Sequence, residues 1–169
     1  MTIRSTYLIG LAIVSTLLLT SIYLQYFEGI MPCPLCTLQR ISFGLLGTLF
    51  FMGILIPSKR RVRLLIHSLC GLVSILGIFL AGRQIWLQHF PSPDNSECGV
   101  SIQYMLQVLP MNQVLQKIFE GSTECSQRGW EFLHLNMAEW ALIGFVGFLI
   151  MTLCLFLEEY RWDKHHHGG

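Results

Sequence analysis

The sequence predicts an all-α membrane protein, a four-transmembrane-helix bundle with a long external loop that carries a short interfacial amphipathic helix. One observation behind this prediction is the composition. Of the 169 residues, 53% are hydrophobic and only 12% are charged, whereas a soluble domain carries about 25% charged residues. The other is the presence of four apolar runs long enough to cross a bilayer, which takes about 20 helical residues. Because lipid offers no hydrogen-bond partners to the backbone, such runs must be helices.

The four spans are predicted at about residues 7–27, 38–56, 64–82 and 138–157. The first run could instead be a cleaved signal peptide that starts at the basic Arg4. Its apolar stretch exceeds the usual ~7–15 residues, and no small-x-small cleavage pattern closes it. We therefore predict that it is retained as a helix of a single domain covering residues 1–164. Residues 165–169 are set aside as an unstructured tail.

The orientation of the bundle follows from the placement of its cationic residues. The connection at residues 57–63 carries four Lys and Arg residues, and such connections stay in the cytoplasm. Both termini are then cytoplasmic, and the connections at residues 28–37 and 83–137 face outward. In a bacterium this arrangement predicts an inner-membrane protein whose two outer connections lie in the periplasm.

The second external connection is long enough to hold structure of its own. Apolar residues recur at steps of three and four between residues 102 and 119, with a break near Pro110. This period is typical of an amphipathic helix, and the segment is too short and too polar to span the bilayer. We expect it to lie on the membrane surface; a small soluble cap that packs on itself is the alternative.

The topology sorts the six cysteines into two groups. Cys70 and Cys154 lie inside the third and fourth spans, where a thiol usually packs as a small hydrophobic group. The other four lie in or beside the external connections: Cys33, Cys36, Cys98 and Cys125. Four cysteines allow three pairings, of which the sequence spacing favours Cys33–Cys36 and Cys98–Cys125.

The Cys-x-x-Cys motif at Cys33 and Cys36 is compatible with more than one chemistry. A zinc site would need two further ligands at comparable spacing, which Cys98 and Cys125 do not offer, so we predict no metal site. Purely structural disulfides are the stronger alternative in an oxidising compartment. A redox role is favoured because Cys36 falls near the start of the second helix, where the helix dipole stabilises a thiolate.

Arg40 strengthens the redox interpretation. It follows Cys36 by four residues and so shares its helical face. An ionisable residue at the edge of a bilayer is a candidate functional residue, although a headgroup anchor is the bland alternative. A disulfide beside lipid needs an electron acceptor, for which a lipid-soluble quinone is the obvious candidate. Cys36, Arg40, Gln88 and Trp86 could supply its thiolate, cation, hydrogen bond and stacking surface.

The composition also limits the binding partners. A net charge of +1 gives no concentrated basic face of the kind that nucleic acid requires. The expected partners are therefore the lipid bilayer, its quinone pool and a protein that reaches the external cysteines.

Three blocks of the sequence resemble the disulfide bond formation protein B (DsbB) family of bacterial inner-membrane oxidases. They are residues 32–40, which read PCPLCTLQR; residues 87–93, which read LQHFPSP and precede Cys98; and residues 130–140, which read WEFLHLNMAEW and follow Cys125. The blocks occur in the family's order on a four-span background, and the resemblance covers nearly the whole chain. One departure is Gln84, at a position where some members of the family carry a histidine.

The resemblance implies a thiol oxidase that generates disulfides de novo. A reduced DsbA-like thioredoxin-fold protein would attack the Cys98–Cys125 disulfide, at Cys98, and the electrons would pass on to Cys33–Cys36. The Cys36 thiolate would then meet ubiquinone or menaquinone, with Arg40 stabilising the reduced species and Gln88 near the quinone ring. The alternatives are a paralogue that oxidises a dedicated thioredoxin-fold partner, and a non-catalytic four-span scaffold with structural disulfides.

Overall fold

The computed structural model describes residues 3–27, 33–55, 60–90, 107–110, 112–113 and 131–166. These contain four long helices, α1 (Ile3–Phe27), α2 (Pro34–Leu55), α3 (Arg60–His89) and α4 (Met137–His166). Among the described residues, these four helices are long and apolar enough to cross a membrane. The predicted fold class, an all-α four-helix membrane bundle, is confirmed.

Local sequence signals explain where the helices begin and end. α2 starts at Pro34, four residues before the predicted span, because proline suits the first helical position. α3 continues to His89, seven residues past the predicted end of its span, since neither glycine nor proline interrupts residues 83–90. α4 runs through His166, so His165 and His166 are helical rather than part of an unstructured tail.

The bundle is antiparallel, with α3 packed on both α2 and α4 and with α1 packed on α2. The core is built mainly from aromatic rings. Phe43 of α2 stacks on Phe145 of α4, with ring centroids 4.0 Å apart. The ring of Phe145 in turn lies where a Cβ on Gly77 of α3 would sit, 2.3 Å from its nearest atom. Small residues permit such close approach between membrane helices.

The outer surface of the bundle is apolar, as a lipid-facing surface must be. Large side chains such as Leu19, Leu72 and Ile150 are exposed there. The two cysteines predicted inside the spans differ in this respect. Cys70 is fully buried in the core and packs as predicted. Cys154 is exposed, so the prediction that it packs inside the bundle is wrong, because its position on α4 faces outward.

A polar cluster closes the end of the bundle where α1 begins. The hydroxyl of Tyr7 and Nε2 of His67 are 2.7 Å apart. His67 Nδ1 lies 4.0 Å from a carboxylate oxygen of Glu159, and Arg63 binds that carboxylate through Nε and Nη2. This cluster joins α1, α3 and α4.

A small β-hairpin leads into α4 at the other end of the bundle. Its strands, β1 (Glu131–Phe132) and β2 (Leu135–Asn136), pair antiparallel with Glu131 opposite Asn136. The two turn residues, Leu133 and His134, have φ of 55° and 64°, the left-handed geometry of a tight two-residue hairpin turn. The sequence does not indicate this hairpin, because such turns usually carry asparagine or glycine.

Most of the predicted amphipathic helix lies outside the described residues, as do Cys98 and Cys125. Within the described part, Gln107 and Val108 are helical, and so are Asn112 and Gln113. Leu109 packs against the apolar cluster around Cys33. This portion of the long connection therefore contacts the cysteine end of the bundle.

Candidate active site

The Cys33–Cys36 pair lies at the start of α2. The two Sγ atoms are 2.9 Å apart, so a disulfide bond of about 2.05 Å would need them to approach by about 1 Å. Cys33 caps the helix, since its carbonyl oxygen accepts hydrogen bonds from the amide and hydroxyl of Thr37. The amide of Cys36 donates to Cys33 Sγ over 3.3 Å, and Cys36 itself falls in the first helical turn, where the helix dipole stabilises a thiolate.

The two cysteines differ in their surroundings. Cys33 is buried with Leu35, Leu80 and Leu87. Cys36 is only partly buried and lines a cavity. An electron acceptor in that cavity would therefore meet Cys36 and not Cys33.

Arg40 lies one helical turn after Cys36 and reaches across to α1. Its Nη1 donates a hydrogen bond to the side-chain oxygen of Gln25, and its Nη2 donates to the carbonyl oxygen of Ser21 over 3.1 Å. Both acceptors are uncharged, so these contacts fix the guanidinium without neutralising it. The side chain therefore offers a fixed positive charge next to the cavity.

A buried amide of α3, Gln84, contacts Cys36, and a second buried amide, Gln39 of α2, contacts the first. Gln84 Nε2 lies 3.1 Å from Cys36 Sγ, and Gln84 Oε1 accepts a hydrogen bond of 2.9 Å from Gln39 Nε2. The helix extension beyond residue 82 is what places Gln84 at the level of Cys36. In the sequence Gln84 stands out only as a departure from the family pattern, and no local pattern indicates that it meets a cysteine 48 positions away.

The cavity has a volume of about 280 Å³ and lies among α1, α2, α4 and the hairpin. Cys36, Gln39 and Arg40 supply its polar wall. The remaining lining is mostly apolar and includes three aromatic rings: Phe43, Phe132 and Trp140. Such a cavity fits a flat apolar molecule whose polar edge meets the thiol and the guanidinium.

Hydrogen bonds hold the hairpin beside this cavity. Trp140 Nε1 donates to the carbonyl oxygen of Phe132 over 3.1 Å. Asn136 Nδ2 donates to Gln88 Oε1 over 2.7 Å. Asn136 and Glu139 also form a reciprocal capping box at the start of α4. Together these contacts fix two of the aromatic rings that line the cavity.

The structure brings together only part of the predicted cofactor site. Cys36 and Arg40 line the same cavity. Trp86 does not line it: its side chain is 58% exposed and its ring contacts Phe90. Gln88 does not line it either, because its amide is bound to Asn136 of the hairpin.

Trp140, and not Trp86, is the tryptophan that lines the cavity. The signal in the sequence that could have indicated Trp140 was its position at the start of the fourth span, within the third sequence block. Phe132 and the α1 residues Ser21 and Gln25 carried no such signal. Among the described residues, no three His, Cys, Asp or Glu side chains group closely enough to hold a metal ion.

The sequence comparisons point to one family. The model of the family described as "Disulfide bond formation protein DsbB" matches residues 3–155. Three similar proteins, each named "Disulfide bond formation protein B", come from Hahella chejuensis, Azoarcus sp. and Psychrobacter cryohalolentis. The first is 36% identical over 149 residues, 88% of this chain and 90% of the relative. The second is 37% identical over 153 residues, 90% and 91% of the two chains. The third is 41% identical over 139 residues, 80% and 77% of the two chains.

Proposed function

The chain belongs to the disulfide bond formation protein B family and is a disulfide-forming oxidoreductase of a membrane, and from this premise we propose that it oxidises a DsbA-like thioredoxin-fold protein and passes the two electrons to a membrane quinone. The observation that carries the proposal is the placement of Cys36 and Arg40 in one aromatic-lined cavity. An apolar acceptor with anionic reduced forms needs a thiolate that donates the electrons and a fixed cation that stabilises the negative charge.

The cavity fits the head group of ubiquinone or menaquinone. Phe43, Phe132 and Trp140 offer ring faces on which a flat ring can stack. Leu17 and Leu24 of α1 continue the apolar lining, and α1 lies at the surface of the bundle, where a prenyl tail would meet lipid. A bound quinone would supply the capacity to accept two electrons and two protons.

The residues of the chain act in a fixed order in this proposal. The dithiol of the soluble partner exchanges with Cys98–Cys125, so the partner becomes a disulfide and this pair becomes a dithiol. Cys33 then exchanges with the external pair, which leaves Cys33 and Cys36 reduced and restores the Cys98–Cys125 bond. Two electrons and two protons leave for the quinone, and the Cys33–Cys36 disulfide forms again.

Arg40 and Gln88 would both contribute to the proposed site, at different distances from the reacting sulfur. Arg40 stabilises the negative charge that develops beside Cys36. Gln88 acts on the cavity indirectly, because its hydrogen bond to Asn136 holds the hairpin that carries Phe132. Trp86 faces outward beside Phe90, which suits an aromatic anchor at the membrane interface.

We propose that the cysteine end of the bundle faces the periplasm and that both termini face the cytoplasm of a bacterium. The cationic residues Arg60, Arg61 and Arg63 begin α3, at the end of the bundle opposite to Cys36. The positive-inside rule then supports a cytoplasmic position for that end.

The test is quinone reduction by the purified protein with reduced DsbA and a soluble ubiquinone or menaquinone analogue. We expect Cys33→Ser and Cys36→Ser to abolish turnover, whereas Cys154→Ser, which changes an outward-facing thiol, retains it. Normal turnover by either of the first two variants would contradict the proposal. Exchanging DsbA proteins in the same assay separates a general oxidase from a paralogue with a dedicated partner.

A further inference from the structure

Two primary amides are buried side by side between α2 and α3, next to the reactive sulfur. Gln39 is 5% exposed and Gln84 is 4% exposed. Burying an amide without hydrogen bonds is unfavourable, and each of these amides is bonded. Gln39 Nε2 donates to Gln84 Oε1, and Gln84 Nε2 faces Cys36 Sγ at 3.1 Å.

The hydrogen bond from Gln39 determines what Gln84 presents to the sulfur. Because the carbonyl oxygen of Gln84 accepts from Gln39, its NH₂ group is the one that points at Cys36. An amide N–H donates and stabilises a thiolate, whereas a carbonyl oxygen at that position would accept from a protonated thiol and stabilise it instead. The direction of the amide pair therefore selects the charge state of Cys36.

We propose that Gln84 is a further catalytic residue, which donates a hydrogen bond to the Cys36 thiolate, and that Gln39 is the positioning residue that fixes the direction of the Gln84 amide. The inference rests on the proposed function in one respect, namely that the Cys36 thiolate is the group that faces the electron acceptor. It adds a donor on α3 to the cation that Arg40 supplies from α2.

The other groups around Cys36 leave a clear role for this donor. The titratable neighbours on α2 are Cys33 and Arg40, whose guanidinium is held towards α1. The cavity residues contributed by α1, the hairpin and α4 carry no titratable side chain. On the same end of α3 the titratable residues are Arg83 and His89, and the ring of His89 is bonded to the carbonyl of Ile85.

An amide donor has a consequence for the pH dependence of the site. A side-chain amide does not gain or lose a proton in the accessible pH range, so its hydrogen bond to the thiolate persists at every pH at which the thiolate exists. Gln84 is for the same reason unable to take the proton that Cys36 releases. Once Cys33 is replaced, the rate of thiolate reactions should therefore follow a single titration, that of Cys36.

The test measures the alkylation of Cys36 by iodoacetamide against pH, in quinone-free protein in detergent, with Cys33→Ser as the background and the Cys36 peptide followed by mass spectrometry. Gln84→Met keeps the length of the side chain but removes the donor. We expect it to slow alkylation at pH 7 by about tenfold and to move the rate profile to higher pH, since a hydrogen bond to a charged group is being removed. Gln39→Met should act in the same direction with a smaller effect.

Two controls separate this role from general destabilisation. Ser74→Ala removes a different buried polar group of α3, one bonded to the carbonyl of Cys70, and should leave the rate profile unchanged. The double variant Gln39→Met with Gln84→Met should match Gln84→Met alone, because Gln39 acts only through Gln84. If Gln84→Met fails to fold, Gln39→Met alone tests the same point, because it removes the hydrogen bond that fixes the direction of the Gln84 amide and should slow alkylation without adding a charge.

A change of less than about twofold, or faster alkylation, in Gln84→Met would overturn the inference, since the lost hydrogen bond is worth more than that. The inference would also be overturned if Ser74→Ala slowed alkylation as much as Gln84→Met does. The outcome is independent of the proposed function, because no quinone takes part in the alkylation. Failure of quinone reduction with a normal Gln84 effect would refute the proposed acceptor and leave the thiolate donor standing.

Discussion

Arg40 illustrates how one side chain can serve both packing and chemistry. Its guanidinium has two separate acceptors on α1, the Gln25 side chain and the Ser21 carbonyl. The planar fork of arginine can meet both acceptors at once, which the single ammonium of lysine cannot do with the same geometry. The residue therefore joins α1 to α2 at the cavity while it keeps its charge beside Cys36.

Replacing Arg40 should weaken quinone use without blocking thiol exchange. We expect Arg40→Ala to raise the KM for the quinone by about tenfold, because the cation that faces the polar edge of the bound quinone is lost. Arg40→Lys should lie between Arg40→Ala and the unchanged protein. Steady-state quinone reduction gives the KM, and single-turnover exchange with reduced DsbA gives the other step.

Arg61→Ala is the matched control for this prediction. Arg61 is an exposed arginine at the opposite end of the bundle, so its loss should leave both steps unchanged. An Arg40→Ala protein with an unaltered quinone KM but a failed exchange step would show that the cation has been assigned to the wrong reaction.

At the residue scale, the sequence predicts contacts between residues that are close together in the chain. It misses contacts that arise from tertiary packing. The spacing of Cys36 and Arg40 predicts a shared helical face, since four residues make about one turn, and both line the cavity. Trp86 and Trp140 look equally suitable by composition, and only the packed structure shows that Trp140 lines the cavity. The contact between Gln84 and Cys36 joins two helices, and no periodicity of one segment could reveal it.

At the scale of the helices, the contact between α3 and α4 depends on one glycine. A Cβ on Gly77 would lie 2.3–2.6 Å from ring atoms of Phe145. That ring cannot move away freely, because it is stacked on Phe43 of α2. Gly77 therefore determines how closely three helices pack in the middle of the bundle.

Gly77→Ala should destabilise the bundle. We expect it to lower the free energy of unfolding in detergent by about 1–3 kcal/mol, the usual cost of overpacking a core. The effect should be visible as a lower midpoint of thermal unfolding by circular dichroism. Replacing glycine by alanine raises the helix propensity by about 1 kcal/mol. The expected destabilisation is the net value that remains after this gain is subtracted from the cost of the clash.

Gly71→Ala on the same helix provides the control. A Cβ at Gly71 would meet nothing within 4 Å, so this substitution should leave stability unchanged or raise it slightly. Equal destabilisation by the two variants would mean that the close approach of Phe145 does not limit the packing.

The elements themselves could be predicted from sequence to different degrees. The four helices follow from apolar runs whose length matches the bilayer, a constraint that depends on composition alone. The hairpin could not be predicted, because its strands have two residues each and its turn places Leu133 and His134 at positive φ. The contacts of Trp140 and Asn136 stabilise this unfavourable turn, and the contact of Asn136 with Gln88 is a tertiary one that no local pattern reveals.

At the scale of the whole molecule, the bundle has two polar ends with separate tasks. One end holds Cys36, Gln84 and Arg40. The other holds the cluster of Tyr7, His67, Arg63 and Glu159. Along α3, His67 and Gln84 are 17 residues apart, which corresponds to about 26 Å of helix. At this separation, with an apolar core between them, the two ends should contribute to stability and to chemistry independently.

Glu159 provides the test of this division. Its carboxylate is buried and accepts hydrogen bonds from Nε and Nη2 of Arg63, which is itself partly exposed. We expect Glu159→Gln to lower the free energy of unfolding by about 2 kcal/mol, because it removes one partner of a largely buried charged pair and leaves the guanidinium without its counter-charge. Glu158→Gln, a change at the adjacent exposed carboxylate, should leave stability unaltered.

In both variants the quinone KM and the rate of Cys36 alkylation should match those of the unchanged protein. A Glu159→Gln protein that stays fully folded at the assay temperature but loses quinone reduction would show that the two ends are coupled through the core, and the division of tasks would then be wrong.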